Sequence, residues 1–213
     1  MNKSITIILG TAHRLREPGK QSPDKRLKEC VYSREICKKA ALKLSNLGYN
    51  VKIDYEPLDL AKDMQSTNLS KERNRELAMR VNYVNNICKQ QGSANVVYIS
   101  IHCNAVGNDG KWHDANGWQV CVGTKASQKS KLLANCLYDN AKKQGLKMRQ
   151  PSTTQKYWPQ NLYVLNNTNC PAVLTENLFQ DNKKDVDYLL SEEGKNNIIN
   201  LHVEGIIRYI EGK

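Results

Sequence analysis

Two of the four histidines directly follow hydrophobic segments that have the composition of β-strands. His13 comes shortly after the β-branched run at residues 4–9, and His102 comes directly after the run at residues 96–101. In α/β sheets, ligand-binding and catalytic groups lie beyond the carboxyl ends of the strands, so both positions are typical of metal ligands. His202 falls on the last predicted helix, where we expect an ordinary helix-face residue.

Two glutamates could complete a catalytic site with these histidines. Glu29 opens the first predicted helix at the same sheet edge as His13, and a catalytic zinc needs three protein ligands and a fourth position for water. The helix macrodipole also favours an acidic residue in the first turn, so a structural role for Glu29 stays open. Glu176 follows the apolar run at residues 171–175, where it could be a general base beside a metal ion, or a capping or salt-bridged residue. Spacing alone makes the chain compatible with a metallohydrolase.

Alternating strands and helices must position these four residues. Apolar periodicity predicts strands at residues 4–9, 49–53, 96–101, 118–122, 162–165 and 172–175, and helices at residues 29–47, 77–92, 127–144 and from 185 onward. Alternation of this kind predicts an α/β fold. We expect a single-domain sheet of about six mostly parallel strands, flanked by helices on both faces.

The composition indicates one polar and basic domain. The chain has 213 residues, of which 39% are hydrophobic, enough for one core. Its formal net charge is +11 and its pI is about 9.3, which predicts an anionic partner such as nucleic acid, an acidic membrane surface or an anionic wall polymer. Lysine and arginine concentrate at residues 123–158, here called the basic block, where Asp139 is the one acidic residue. A solvated surface without a specific partner is an equally open interpretation of this block.

Several classes of protein are excluded by what the sequence lacks. No apolar run approaches the roughly 18 residues of a membrane-spanning helix, so we expect no membrane insertion. No recognised nucleic-acid-binding motif accompanies the positive charge. The seven cysteines include no C-x-x-C pair and sit among apolar neighbours, so we expect reduced thiols in the core. The apolar run near the start ends at Gly10, which is too short for a secretory signal, and the export route stays open.

Four motifs in order resemble the zinc-dependent N-acetylmuramoyl-L-alanine amidases of the bacterial cell wall, a family that includes division amidases and phage lysins. The motifs span residues 5–209 and are G-x-x-H at 10–13, a glutamate at 29 ahead of L-x-x-L-G-Y-x-V at 44–51, S-I-H-x-N-A at 100–105 and P-A-V-L-x-E-x-x-F-x-x-N at 171–182. Arg80 matches an arginine that is common in the family just before the S-I-H strand. The chain departs from the family where Arg14 and Leu15 replace a pair of glycines, and a threonine-arginine pair is missing after the second strand.

The resemblance implies that His13, Glu29 and His102 bind Zn²⁺ and that Glu176 is the catalytic residue. It also implies hydrolysis of the amide between N-acetylmuramic acid and L-alanine in peptidoglycan or a muropeptide, within the periplasm or the cell wall. Residues 1–213 would be a single catalytic amidase domain without a separate wall-binding module, working as a monomer. Two alternatives stay open, namely a zinc peptidase or carboxypeptidase acting on another amide of wall peptides, and a non-catalytic wall-binding domain.

Three aromatic residues near the predicted site have no assigned role at this stage. These residues are Trp112, His113 and Trp118, which flank the glycine-rich loop that follows His102. They could line a substrate groove, although core packing explains a tryptophan equally well.

Overall fold

Six strands form one sheet in the computed structural model, which describes residues 4–212. Along the chain they are β1 Thr6–Thr11, β2 Asn50–Ile53, β3 Val96–Asn104, β4 Gln119–Gly123, β5 Trp158–Gln160 and β6 Ala172–Phe179. Their order across the sheet is β2-β1-β3-β6-β4-β5. Strands β2, β1, β3 and β6 are parallel, whereas β4 is antiparallel to β6 and β5 is parallel to β4. The predicted mostly parallel sheet is confirmed.

Helices cover both faces of the sheet, as predicted. They are α1 Glu29–Asn46, α2 Leu69–Gln91, α3 Gln128–Lys143, α4 Tyr163–Asn166, α5 Lys183–Leu190 and α6 Glu192–Glu211, with short 3-10 turns at Lys62–Met64 and Ser93–Asn95. Helices α1, α3, α5 and α6 pack through the larger apolar cluster on one face. Helices α2 and α4 pack through a smaller cluster on the other face. The four parallel strands therefore present their carboxyl ends to the same edge, between two helical layers.

The strand predicted at residues 162–165 is wrong. This segment is the short helix α4, and the edge strand β5 lies just before it at Trp158–Gln160. An apolar run of four residues does not distinguish a strand from one turn of helix, because both bury such a run. Pro159 occupies the centre of β5, a position that an edge strand tolerates because its N–H is not needed there for pairing.

Helix α2 begins at Leu69, about two turns before the predicted start near residue 77. The buried side chains of these first turns are charged rather than apolar. Glu72 and Glu76 contact the fully buried guanidinium of Arg14, with N–O distances of 2.7 and 3.0 Å. Asn68 caps the helix by accepting a hydrogen bond from the backbone N–H of Lys71. Hydrophobic periodicity does not detect a buried ionic cluster, so the first two turns were missed.

All seven cysteines are free and buried, in agreement with the expected core thiols. Burial raises the pKa of each of these thiols, and the pKa of Cys121 reaches about 12.

Among residues 4–212, no helix combines the length and the apolar character needed to cross a membrane.

His202 of α6 is a core residue. It is 0% exposed, its Nε2 lies 2.9 Å from Thr175 Oγ1, and its Nδ1 lies 2.7 Å from the carbonyl oxygen of Ile198. Burial lowers the pKa of His202 to about 4, because the charged imidazole would lose its hydration. The residue predicted on a helix face therefore joins α6 to the sheet through its hydrogen bond with Thr175 of β6.

We expect His202 to make the protein less stable as the pH falls from 6.5 towards 4. The unfolded chain binds a proton at this residue near pH 6.5, and the folded protein does so only near pH 4, so acid favours unfolding within this window. The difference in the free energy of unfolding between wild type and His202→Gln should therefore be smaller at pH 4 than at pH 7. The decrease should be roughly 3 kcal/mol. Urea unfolding at both pH values measures this, with the loop variant His113→Gln as the control. An equal difference at both pH values would contradict the assignment.

Candidate active site

Three side chains converge beyond the carboxyl ends of β1 and β3. His13 follows β1, Glu29 is the first residue of α1, and His102 lies near the end of β3. His102 Nδ1 lies 3.0 Å from Glu29 Oε1, and His13 Nε2 lies 3.4 Å from Glu29 Oε2. Their ligand-type atoms all lie within 4.8 Å of one another. The structure thus brings together the three residues that the sequence suggested as metal ligands.

Glu29 is the most deeply buried member of this cluster, with a side chain that is 1% exposed. Its Oε1 accepts a hydrogen bond from the backbone N–H of Cys103 at 3.1 Å. Burial raises the pKa of Glu29, but the charge of His13 and the hydrogen bond with His102 outweigh burial and hold the pKa well below its ordinary value. The carboxylate is therefore ionised at neutral pH.

The residues of the cluster fit a zinc-type ion. Two imidazole nitrogens and one carboxylate are the donor set of many catalytic zinc sites, which leave a further position for water or substrate. Glu29 Oε2 is buried and receives no hydrogen bond from residues 4–212, so it has a lone pair available to a cation. Burial lowers the pKa of His102, although Glu29 acts in the opposite direction, and the neutral imidazole is the form that binds a metal.

Two arginines hold the backbone of His13 in an uncommon conformation. Its φ angle is 43°, in the left-handed region that few residues other than glycine adopt. Nη2 of Arg34 donates to the carbonyl oxygen of His13 at 3.0 Å, and Nη2 of Arg80 does so at 3.4 Å. Arg80 is itself paired with the buried Asp54 at 2.8 Å. The motif comparison pointed to Arg80, but Arg34 was missed because nothing in its spacing distinguishes it inside α1.

Glu176 lies beside the cluster, in β6. It is opposite His102 on β3 and opposite Gln119 on β4, so the three residues form a row across the sheet. Glu176 is partly buried, and its Oε2 lacks a hydrogen-bond partner in the described chain. Burial, together with the negative charge of Glu29, raises the pKa of Glu176 to about 8, and the charge of Lys20 opposes this rise. A carboxyl with a pKa close to neutrality can both accept and donate a proton.

The aromatic residues near the site have different roles. Trp118 is fully buried, and its Nε1 donates to Asn177 Oδ1 at 2.8 Å, so the packing interpretation applies to it. His113 Nε2 lies 2.9 Å from Asp109 Oδ1 within the same loop. Trp112 is 37% exposed. The two loop residues stay as candidates for substrate contact.

The cluster opens into a cavity of about 190 Å³ on the face covered by α2 and α4. His13 and His102 lie on one side of this cavity, and the apolar side chains of Leu77, Leu162 and Val164 lie on the other. Helix α4, which was predicted as a strand, therefore contributes to the wall of this cavity together with Leu77 of α2.

Comparison with known proteins gives relatives over nearly the whole chain. The CwlD amidase from Clostridioides difficile, solved in complex with the GerS lipoprotein, is 25% identical with a TM-score of 0.79, covering 98% of this chain and 100% of that one. An N-acetylmuramoyl-L-alanine amidase from Clostridium difficile 630 has the same fold, with 22% identity, a TM-score of 0.79 and full coverage of both chains.

A phage protein also matches in sequence. The endolysin of Bacillus phage SPP1 is 32% identical over 117 residues, which are 55% of this chain and 41% of the endolysin. The chain therefore matches less than half of the length of that relative. Residues 7–208 match the family model described as N-acetylmuramoyl-L-alanine amidase. This match includes His13, Glu29, His102 and Glu176, and the chain belongs to the N-acetylmuramoyl-L-alanine amidase family.

Proposed function

We propose that this protein hydrolyses the amide bond between N-acetylmuramic acid and L-alanine in peptidoglycan, using a zinc ion held by His13, Glu29 and His102. The observation that carries the proposal is the position of Glu176 in a chain of this family. Glu176 lies opposite His102 on the neighbouring strand, its Oε2 has no hydrogen-bond partner among residues 4–212, and its pKa is raised to about 8. A strongly perturbed carboxyl beside a metal-type cluster is typical of a catalytic site.

Each residue has a separate task in this mechanism. Zinc bound by the three ligands would supply a Lewis acid that activates water and polarises the amide carbonyl. Glu176 takes a proton from the attacking water and then donates it to the leaving nitrogen of alanine. Glu29 would stay ionised as a ligand, because the bound cation and the hydrogen bond from the backbone N–H of Cys103 would stabilise its charge. Arg34 and Arg80 hold the carbonyl oxygen of His13 and so orient its ring.

We also propose that residues 1–213 form a single catalytic domain acting on wall material, in the periplasm or in the cell wall. The basic block supports an anionic partner only in part. Lys143 and Lys156 of the block are paired with Glu204 and Asp139, at 3.1 and 2.5 Å. Long-range attraction to wall polymers and the monomeric state stay predictions.

Fragment analysis separates this activity from its alternatives. Purified peptidoglycan is digested with the zinc-loaded protein, and the fragments are identified by mass spectrometry. An amidase releases stem peptides with a free alanine amino group and leaves the lactyl group on the sugar. Cleavage between two amino acids would instead indicate a peptidase, and binding without cleavage would indicate a non-catalytic domain.

The variant Glu176→Gln should lose turnover while it keeps its metal. Glutamine has nearly the same size as glutamate but cannot accept the proton, and such proton carriers contribute roughly 10²- to 10⁴-fold to a rate. Steady-state cleavage of a soluble muropeptide and elemental analysis for zinc measure the two effects. Glu193→Gln on the surface of α6 is the matched control. Retained activity, or loss of zinc in Glu176→Gln, would contradict the role of proton carrier.

The variants His13→Ala and His102→Ala should bind zinc at least about tenfold more weakly, because each removes one of three ligands. The metal-free variants should stay folded, since the apolar clusters on both faces of the sheet hold the domain together. Competition with a chromophoric chelator gives the zinc affinity, and thermal unfolding with a chelator present gives the stability. Zinc affinities equal to that of wild type in both variants would exclude this ligand set.

A further inference from the structure

A second cavity lies on the far side of Glu176 from the histidines. Its volume is about 460 Å³, and we call it the β4–β6 groove. Polar and aromatic side chains line it, including Asn104, Gln119, Arg149, Trp158, Gln160 and Phe179. Amide side chains of this kind suit a ligand that carries peptide groups, because each can both donate and accept hydrogen bonds.

Gln119 relates the β4–β6 groove to the candidate active site, because it lines the groove and is paired with Glu176 across the sheet. Gln119 lies opposite Glu176, and neighbouring strands are about 4.8 Å apart. Nε of Arg149 donates to Oε1 of Gln119 at 3.2 Å, and the Arg149 guanidinium carbon lies 4.9 Å from the centre of the Phe179 ring. Since each residue of an extended peptide spans about 3.3–3.6 Å, Arg149 lies within reach of the first two residues of a peptide that starts at Glu176.

Arg149 is partly buried and makes no ion pair with any carboxylate of residues 4–212. The arginines that line the cavity beside His13 differ in this respect. Arg80 is paired with Asp54 and Glu76, and Arg73 is paired with Glu17. Guanidinium groups bind carboxylates through two parallel hydrogen bonds, so an oriented arginine without a counter-ion is suited to an anionic ligand.

We infer that the β4–β6 groove binds the peptide part of the substrate and that Arg149 receives a carboxylate of its second residue. This inference rests on the proposed amidase function, which places the scissile amide at Glu176. The stem peptide carries carboxylates, whereas the sugar side of the amide is neutral. The unpaired charge of Arg149 therefore sets the direction of the substrate, with the peptide over β4 and the sugar on the side of His13.

Binding of the released peptide tests the inference without catalysis. The probes are L-alanyl-D-glutamate with its γ-carboxyl blocked as the methylamide, which leaves the α-carboxylate as its one carboxylate, and the same compound with that carboxylate converted to an amide. Both are titrated into the zinc-loaded protein by calorimetry. Wild type should bind the acid about ten- to hundredfold more tightly than the amide, the range expected of a hydrogen-bonded charge. Arg149→Met should remove this preference, and Arg149→Lys should keep part of it. Lys147→Met, an exposed lysine two positions away, is the matched control and should behave as wild type.

Kinetics on the two N-acetylmuramoyl dipeptides should show the same preference. In Arg149→Met the KM for the acid should rise about ten- to hundredfold with little change in kcat, and the KM for the amide should stay the same. Equal affinity of wild type for acid and amide would overturn the inference, and this comparison does not depend on any variant folding. An equal loss in Lys147→Met would overturn it as well.

The two proposals fail in different ways. Wild type that cleaves acid and amide with equal KM would contradict the role of Arg149 and leave the amidase function standing. Wild type that cleaves neither compound, yet binds the acid dipeptide through Arg149, would contradict the amidase function and leave the peptide groove standing.

Discussion

The rest of the site depends on the contacts that the buried, ionised carboxylate of Glu29 makes with its neighbours. It lies at the start of α1, it is almost completely buried, and it contacts His13, His102 and the backbone of Cys103. Burying a carboxylate is unfavourable unless opposite charge or hydrogen bonds compensate it. The carboxyl ends of β1 and β3 must therefore meet the first turn of α1 at this carboxylate. The buried charge thus fixes the relative position of these three elements.

The charge of Glu29 also contributes to the difference between the pKa values of the two glutamates. Its negative charge is one reason that the pKa of Glu176 is raised, after burial itself. Two nearby carboxyls with pKa values moved in opposite directions can have different roles at one pH. Glu29 is ionised and suits a cation, whereas Glu176, with a pKa close to neutrality, can accept and release a proton. A single arrangement of charge thus supplies both parts of the proposed chemistry.

Much of this arrangement was predictable from the sequence, because strand ends are visible in it. His13 and His102 follow apolar runs, and Glu29 starts a periodic helix, so their meeting at one sheet edge follows from parallel topology. Gln119 and Arg149 were not predictable as a unit. Their closeness to Glu176 depends on β4 pairing with β6, two strands that are far apart along the chain. The α4 segment was misassigned because four apolar residues carry too little periodicity.

The reversed direction of β4 has a consequence for how this architecture can diversify. Because β4 runs antiparallel to β6, its first residue, Gln119, rather than its last lies beside Glu176 at the edge where His102 also lies. The connection from the end of β3 to Gln119 therefore consists of residues 105–117, which belong to no strand or helix, and the buried Trp118. Insertions or deletions at residues 105–117 would reshape access to the groove while His13, Glu29, His102 and Glu176 keep their places. The shape of the groove can therefore change through this one segment without any change at the ends of β1, β3 and β6.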